Sequence, residues 1–430
     1  MENNSLLHRI KEGILDTCYI CVREMRGTIT DEGVLIFCVL VPLLYPLLYS
    51  WIYNNEVVRE VPVAIVDQSH TNASREYIRK FDASPDTKVA YYCTSLEEAK
   101  DLTAKQQVRG TLYFPEDFER RLYRGEQTKV GVYCDMSLML TYKAIYQTAQ
   151  VVASDMNAQI QIAQSTDYTK RDNEITTKPL DFDEVPIFNT TGGYGNAILP
   201  GVLMLILQQT LLLGIGLAAG TARENNRFKD LVPISKHYNG IFRIVLGKSL
   251  CYFMIYMVMG AYLALVIPHL YHFTSLVSAQ AIIGLMVPYI LACTFFGMML
   301  SCLVRYRENV MLLVVFSSVP FLFMTGLSWP QSNIPGFWQG VATIIPSTFG
   351  VRGFMRISSM GATLQDIQTE YQALWIQVLV YFFATCVVYR YQIISTRRRA
   401  FNHMQRLKEM AETAKQQKGA GSDIDTQKDS

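Results

Sequence analysis

Residues 33–52 read GVLIFCVLVPLLYPLLYSWI, twenty positions without a charged side chain. A helix of that length covers the ~30 Å hydrocarbon core of a bilayer. Five further windows are nearly as apolar: 196–219, 244–267, 279–303, 310–328 and 373–389. Pro42 and Pro46 inside the first window predict a kink or a wall that faces protein. Half of the 430 residues are hydrophobic and 18% are charged. Soluble domains carry about a quarter charged residues, so the composition excludes an ordinary soluble protein and the pattern predicts six membrane spans.

The basic residues outside those windows are unevenly placed. Arg223, Arg227, Lys229, Lys236 and Arg243 lie in 221–243, Arg305 and Arg307 follow the fourth window, and Arg397, Arg398 and Arg399 follow the sixth. The loop at 268–278 has no Lys or Arg. Basic loops stay on the cytoplasmic side. Both termini are therefore expected in the cytoplasm, and the 54–190 segment and the 329–372 loop outside. Residues 1–32 form a cytoplasmic element in which Leu7, Ile10, Ile14, Cys18, Val22 and Met25 recur at helical spacing, with Arg9, Glu12, Asp16 and Arg23 between them. This predicts an amphipathic helix in the membrane interface; a helix packed on a partner is the alternative. No compact apolar h-region precedes the first window, so no cleavable signal peptide is expected. Within the 396–430 tail, disorder is expected from Gln416 onward.

Between the first two spans, at 54–190, strand-like runs alternate with helical ones. Strands are predicted at Val61–Val66, Val89–Cys93, Thr111–Phe114 and Lys129–Cys134. Helices are predicted from Ser74 to Phe81, from Leu96 to Val108, after Pro115 to Tyr123, and from Leu138 to Ala163; a poorly structured segment reaches Asn189. The alternation predicts a small α/β extracytoplasmic domain inserted into a mostly α membrane protein. The remaining five spans occupy 191–395.

Few residues invite a chemical role. Gly247-Lys248-Ser249 resembles the end of a phosphate-binding loop, but position 242, where that loop needs glycine, is Phe242. The chain is therefore expected to hold no nucleotide site, no cofactor and no metal. No HExxH or GxSxG occurs and the six histidines are scattered. The nine cysteines fit no metal spacing, although Cys93 and Cys134 near strand ends could form a disulfide in an oxidising compartment. Gln208 and Gln209 sit inside a span, where polar groups need partners, either another helix or a substrate path. The interiors of spans two to five hold no Asp or Glu, which disfavours a proton or ion pump.

Several segments together resemble the permeases of type-two ABC transporters, in the branch with a large external domain after the first span. They are Arg23-Glu24 before a proline-containing first span, the strand Val63-Ala64-Ile65-Val66-Asp67, the run Gly110–Phe118 with Pro115, and Phe188-Asn189 before Leu199-Pro200-Gly201. Arg223-Glu224 with Leu231–Ser235 and Gly247-Lys248 is similar to the family's loop between spans two and three; Asn225–Asp230 departs from it where a Gly-Thr pair is usual. Thr325-Gly326, Trp329-Pro330, Ile334-Pro335 and Pro346-Ser347-Thr348 resemble the half-membrane hairpin before span six.

The resemblance implies a permease subunit of an ATP-driven exporter, not an enzyme. ATP and Mg would be held by a separate cytoplasmic ABC ATPase that docks on the 221–243 loop and the N-terminal helix, through Glu24, Arg223, Glu224, Arg227 and Pro233. Gln208, Gln209, Thr325 and Gly326 are the candidates for a translocation path. The cargo would be hydrophobic or amphipathic, drug-like or lipid-like, as in multidrug efflux. The expected partners are a second permease chain, as homodimer or paired heterodimer, the lipid bilayer, and as further candidates a periplasmic adaptor and an outer-membrane channel; nucleic acid is not expected. The family branch implies a bacterial inner membrane. A membrane-anchored extracytoplasmic binding or signalling module without transport is the alternative, distinguished by the absence of an ATPase partner.

Overall fold

A computed structural model describes residues 6–54, 57–164, 169–178, 180, 185, 187–190, 192–225, 240–304 and 306–425. The chain divides into two compact units, residues 55–187 and the remainder.

The larger unit opens with α1 (Leu6–Thr30). Among the described residues, six helices long and apolar enough to cross a membrane follow: α2 (Glu32–Ile52), α8 (Tyr194–Asn225), α9 (Ile241–Tyr271), α10 (Ala279–Ser301), α11 (Arg307–Met324) and α14 (Gln368–Asp425). All six predicted spans are helical; most ends move by a few residues, whereas α14 runs well past the predicted end at 389. Asp31 starts α2 by accepting from the amides of Gly33 (3.0 Å) and Val34 (3.1 Å). Two spans contain a π-helical turn, Ile36–Leu40 and Tyr262–Val266. Each is centred on the residue four before a proline: Cys38 before Pro42, and Ala264 before Pro268. A proline ring collides with the carbonyl at that position in a regular helix, and the wider turn relieves the collision.

Buried side chains of α8 and α10 form the centre of this unit, with Tyr252, Tyr256 and Tyr289 fully enclosed. A Cβ at Gly216 would stand 2.3 Å from Val310 Cγ1, and one at Gly220 would stand 3.1 Å from Arg307 Cα. This small-residue pair lets α8 and α11 approach closely, as membrane helices require where no hydrophobic gain accompanies association. Before α14 come two short helices, α12 (Gly336–Ala342) and α13 (Pro346–Met360). α14 continues through Asp425, past the Gln416 at which disorder was expected; Ala, Lys, Gln and Glu in 412–418 all favour helix.

The 55–187 unit has a four-stranded sheet in the order β2-β1-β3-β4, formed by β1 (Val61–Asp67), β2 (Thr87–Tyr92), β3 (Gly110–Phe114) and β4 (Gly131–Cys134). β1 pairs in parallel with β2 and β3, and β4 is antiparallel to β3. Val61, Val63 and Ile65 face α3 (Asn72–Asp82) and α6 (Met139–Gln164), while Ala64 and Val66 face α4 (Leu96–Ala104). A strand covered on both faces is a continuous apolar run, as β1 is from Val61 to Val66. α4 stops at Ala104 rather than Val108, because Gln106 takes a left-handed conformation (φ 57°). α5 spans Phe118–Tyr123, and α7 (Lys170–Thr177), capped by Thr169, stands in the segment expected to lack structure.

Cys93 and Cys134 are both free thiols. Cys93 directly follows β2 and Cys134 ends β4, with β1 and β3 between them, so two intervening strands at ~4.8 Å spacing keep them beyond disulfide reach. Burial pushes the Cys134 thiol up to about 11.

At Gly247 a Cβ would meet Ile20 Cβ at 2.8 Å and the backbone oxygen of Thr17 at 2.9 Å. Gly247→Val should lower stability by about 1–3 kcal/mol and expose α1 to limited proteolysis. Gly340→Ala, at an exposed helical position with open space around its Cβ, should not lower thermal stability and should leave proteolysis of α1 unchanged.

Candidate functional site

The ends of α8 and α10 and the starts of α2, α9 and α11 bring together three ion pairs that involve the α1 region. α1 lies along α9 there, burying Ile20, Cys21 and Thr28 and leaving Ile14, Leu15 and Val22 exposed. The predicted apolar stripe is thus not the face that packs on α9. The packing face is set by acids two helical turns apart, each matched to a cation. Asp16 Oδ2 accepts from Arg243 Nη1 at 2.8 Å. Both oxygens of Glu24 accept from Lys248 Nζ at 2.9 Å, and Tyr252 Oη donates to Glu24 Oε1 at 3.0 Å. Just beyond α1, Asp31 accepts from Arg307 Nη2 at 2.8 Å and from Thr221 Oγ1 at 2.6 Å.

The Glu24–Lys248 pair is the most enclosed, its side chains 16% and 8% exposed. Gly247 and Lys248, which in sequence mimic a phosphate loop, form the socket that receives α1. For Asp31, burial acts to raise the carboxyl pKa; the Thr221 hydroxyl, the Val34 amide and the Arg307 charge outweigh it and hold the carboxyl below the ordinary aspartate range. A depressed carboxyl stabilises the fold above the unfolded pKa. The tie is therefore fully present at neutral pH and is lost as pH falls through the depressed folded-state value.

The expected coupling residues divide. Arg223 is buried: Nη1 donates to the Val304 carbonyl, and Nη2 donates to Cys302 O (3.3 Å) and Gln392 Oε1 (3.2 Å). Instead of standing at a partner's surface, the guanidinium covers carbonyls beyond the end of α10 that no further helical turn satisfies. Glu24 is likewise turned inward, onto Lys248. Glu224 is exposed. Arg227 and Pro233 lie outside the described residues.

A second polar cluster surrounds the start of α13. Its N-cap residue, Ile345, has no side-chain acceptor. Gln208, fully buried on α8, supplies one: its Oε1 accepts from Ser347 N at 2.7 Å and from Cys293 Sγ at 3.5 Å. Gln208 Nε2, both amide atoms of Gln209, Ser347 Oγ and Thr348 Oγ1 are buried with no hydrogen-bond partner among the described residues. Five residues further along α13, ~7.5 Å at helical rise, Arg352 Nε donates to Thr325 O (3.3 Å) at the end of α11. Gly326 follows with φ 84°, a left-handed turn that glycine favours. Thus α13 links Gln208 at one point to Thr325 and Gly326 at another. Sequence reasoning missed Lys248, Tyr252, Asp31, Arg307 and Arg352; the signal for the first was an uncompensated lysine inside an apolar window.

Removing one partner of a buried pair strands the other charge. Lys248→Met should cost about 3–5 kcal/mol. Glu24→Gln with Lys248→Met, which keeps an acceptor for Tyr252, should recover most of that loss in thermal unfolding of the purified protein.

Residues 33–387 match the family model described as ABC-2 family transporter protein. The chain is also 23% identical, over 345 residues, to the linearmycin resistance permease protein LnrN of Bacillus subtilis (strain 168), covering 75% of this chain and 86% of that protein. The protein is an integral membrane permease component rather than an enzyme, and it belongs to the ABC-2 transporter family.

Proposed function

We propose that this chain is the membrane subunit of an ATP-driven exporter, and that ATP and Mg are held by a separate ABC ATPase docking on α1 and the exposed Glu224. The observation that carries this reading is the set of three ion pairs joining the α1 region to α9 and α11, with Thr221 adding α8. A load applied to α1 or to the connection between α8 and α9 would be passed directly to the spans.

The same end carries Arg243, Lys248 and Arg307, which supports a cytoplasmic orientation with both termini inside an inner membrane. The 55–187 unit would then be extracytoplasmic. With Ile14, Leu15 and Val22 exposed, α1 suits a position in the membrane interface. A second permease chain, identical or similar, would complete the path. α11 supports this: Val310 and Val314 are buried, while Leu312, Val315, Phe316, Val319 and Phe323 are exposed. The unpartnered atoms of Gln209, Ser347 and Thr348, and the Thr325–Gly326 turn, are the candidate polar groups along that path. The relative's name, a resistance permease, favours outward movement of a hydrophobic or amphipathic compound.

Cysteine labelling tests the orientation. In a background with exposed Cys18 replaced by Ser, Glu224→Cys should react with an impermeant maleimide only when the cytoplasmic face is opened. Ser137→Cys should react in intact cells. Reaction of both from the same side would overturn the reading.

A further inference from the structure

The long helix α6 covers the sheet with Ile145, Ala149, Val152 and Met156. Its other flank borders an open groove of about 720 Å³ against the segment between α5 and β4. That size suits a drug-like molecule. The groove has an apolar side formed by Leu122, Val130, Val132, Ala153 and Ile160. Its polar side is a row of carboxamides: Gln150, Asn157, Gln161 and Gln164 on α6, at spacings of seven, four and three that share one helix face, with Gln127 opposite. A second cavity, of about 420 Å³, shares Leu122, Met156, Ile160 and Gln164 with the first.

Two features separate this groove from an ordinary solvated helix face. Its lining includes no Lys or Arg, and Glu126 is its one charged residue, although α5 beside it carries Arg120 and Arg121. Thr128, also in the lining, has a buried Oγ1 with no hydrogen-bond partner among the described residues. The carboxamides can donate and accept but attract neither sign of charge. We propose that this groove binds an uncharged amphipathic small molecule, an elongated apolar body with hydroxyl or carbonyl groups along one side. Its apolar side lies on Leu122 and Ile160, and its polar side faces the carboxamide row. This inference rests on the export reading, in which the 55–187 unit meets the cargo.

The test uses the full chain in lipid nanodiscs and three photoreactive probes with the same diazirine-bearing alkyl chain. One carries a glucoside head, one a sulfate and one a trimethylammonium. Mass spectrometry should place glucoside cross-links within 122–132 and 150–164, with both charged probes labelling there less and the sulfate, facing Glu126, at least about tenfold less. Ala153→Trp should fill the groove and abolish the labelling. Gln150→Leu with Gln161→Leu, at exposed positions that leave the core intact, should remove the preference for the glucoside while retaining alkyl contact. Labelling confined to the spans, or equal labelling by all three probes, would overturn the proposal. Loss of the groove's labelling preference alongside the expected sidedness of Glu224→Cys and Ser137→Cys would sink this inference alone. The preference persisting with both cysteines on one face would sink the export reading instead.

Discussion

A carboxylate and an ammonium cannot be taken out of water separately without a cost of several kcal/mol each. Glu24 and Lys248 are enclosed together between α1 and α9, with the Tyr252 hydroxyl on the same carboxylate. Because each charge is tolerated only beside the other, the pair fixes the rotation and register of α1 on the bundle. The close approach at Gly247 and the flanking Asp16–Arg243 and Asp31–Arg307 pairs are consistent with that single registration. An amphipathic helix otherwise free to slide in an interface thus becomes a fixed part of the membrane unit.

The same constraint recurs at three helix ends inside this unit. Orphan backbone groups in an apolar setting need partners, and these three ends each receive a side chain from another helix. Arg223 of α8 meets carbonyls beyond α10, Gln208 of α8 meets the Ser347 amide in the first turn of α13, and Arg352 of α13 meets the Thr325 carbonyl just beyond α11. Long-range ties of this kind make α8 the common support of the bundle. A movement of α8 would reach α10 and α13 together.

The spans and the sheet were legible because each follows from a property written locally: long stretches without charge, and β-branched runs between turn residues. The direction of individual polar side chains was not. Arg223 and Glu224 are neighbours in sequence, yet a 100° step around the helix turns the first into the chain and leaves the second exposed. Periodicity identified α1 as amphipathic but not its packing face, because the apolar stripe and the row of acids point different ways and the acids win by finding cations on α9 and α11. The π-helical turns were readable in principle, from prolines deep inside otherwise regular windows. The carboxamide row of α6 passed as simple polarity, since only the fold sets it opposite Leu122 and Val130.

In the proposed transport cycle, energy enters from another subunit at the end of the bundle where α1 is clamped. The most direct measurement places a photoreactive amino acid at Glu224, in cells that carry the whole transport system, with Tyr123 as the control position. Cross-linking from position 224 to a subunit bearing a Walker A motif, and not from position 123, is the predicted result. No such adduct at 224 in a functioning transporter, or capture of the same subunit from 123, would contradict it.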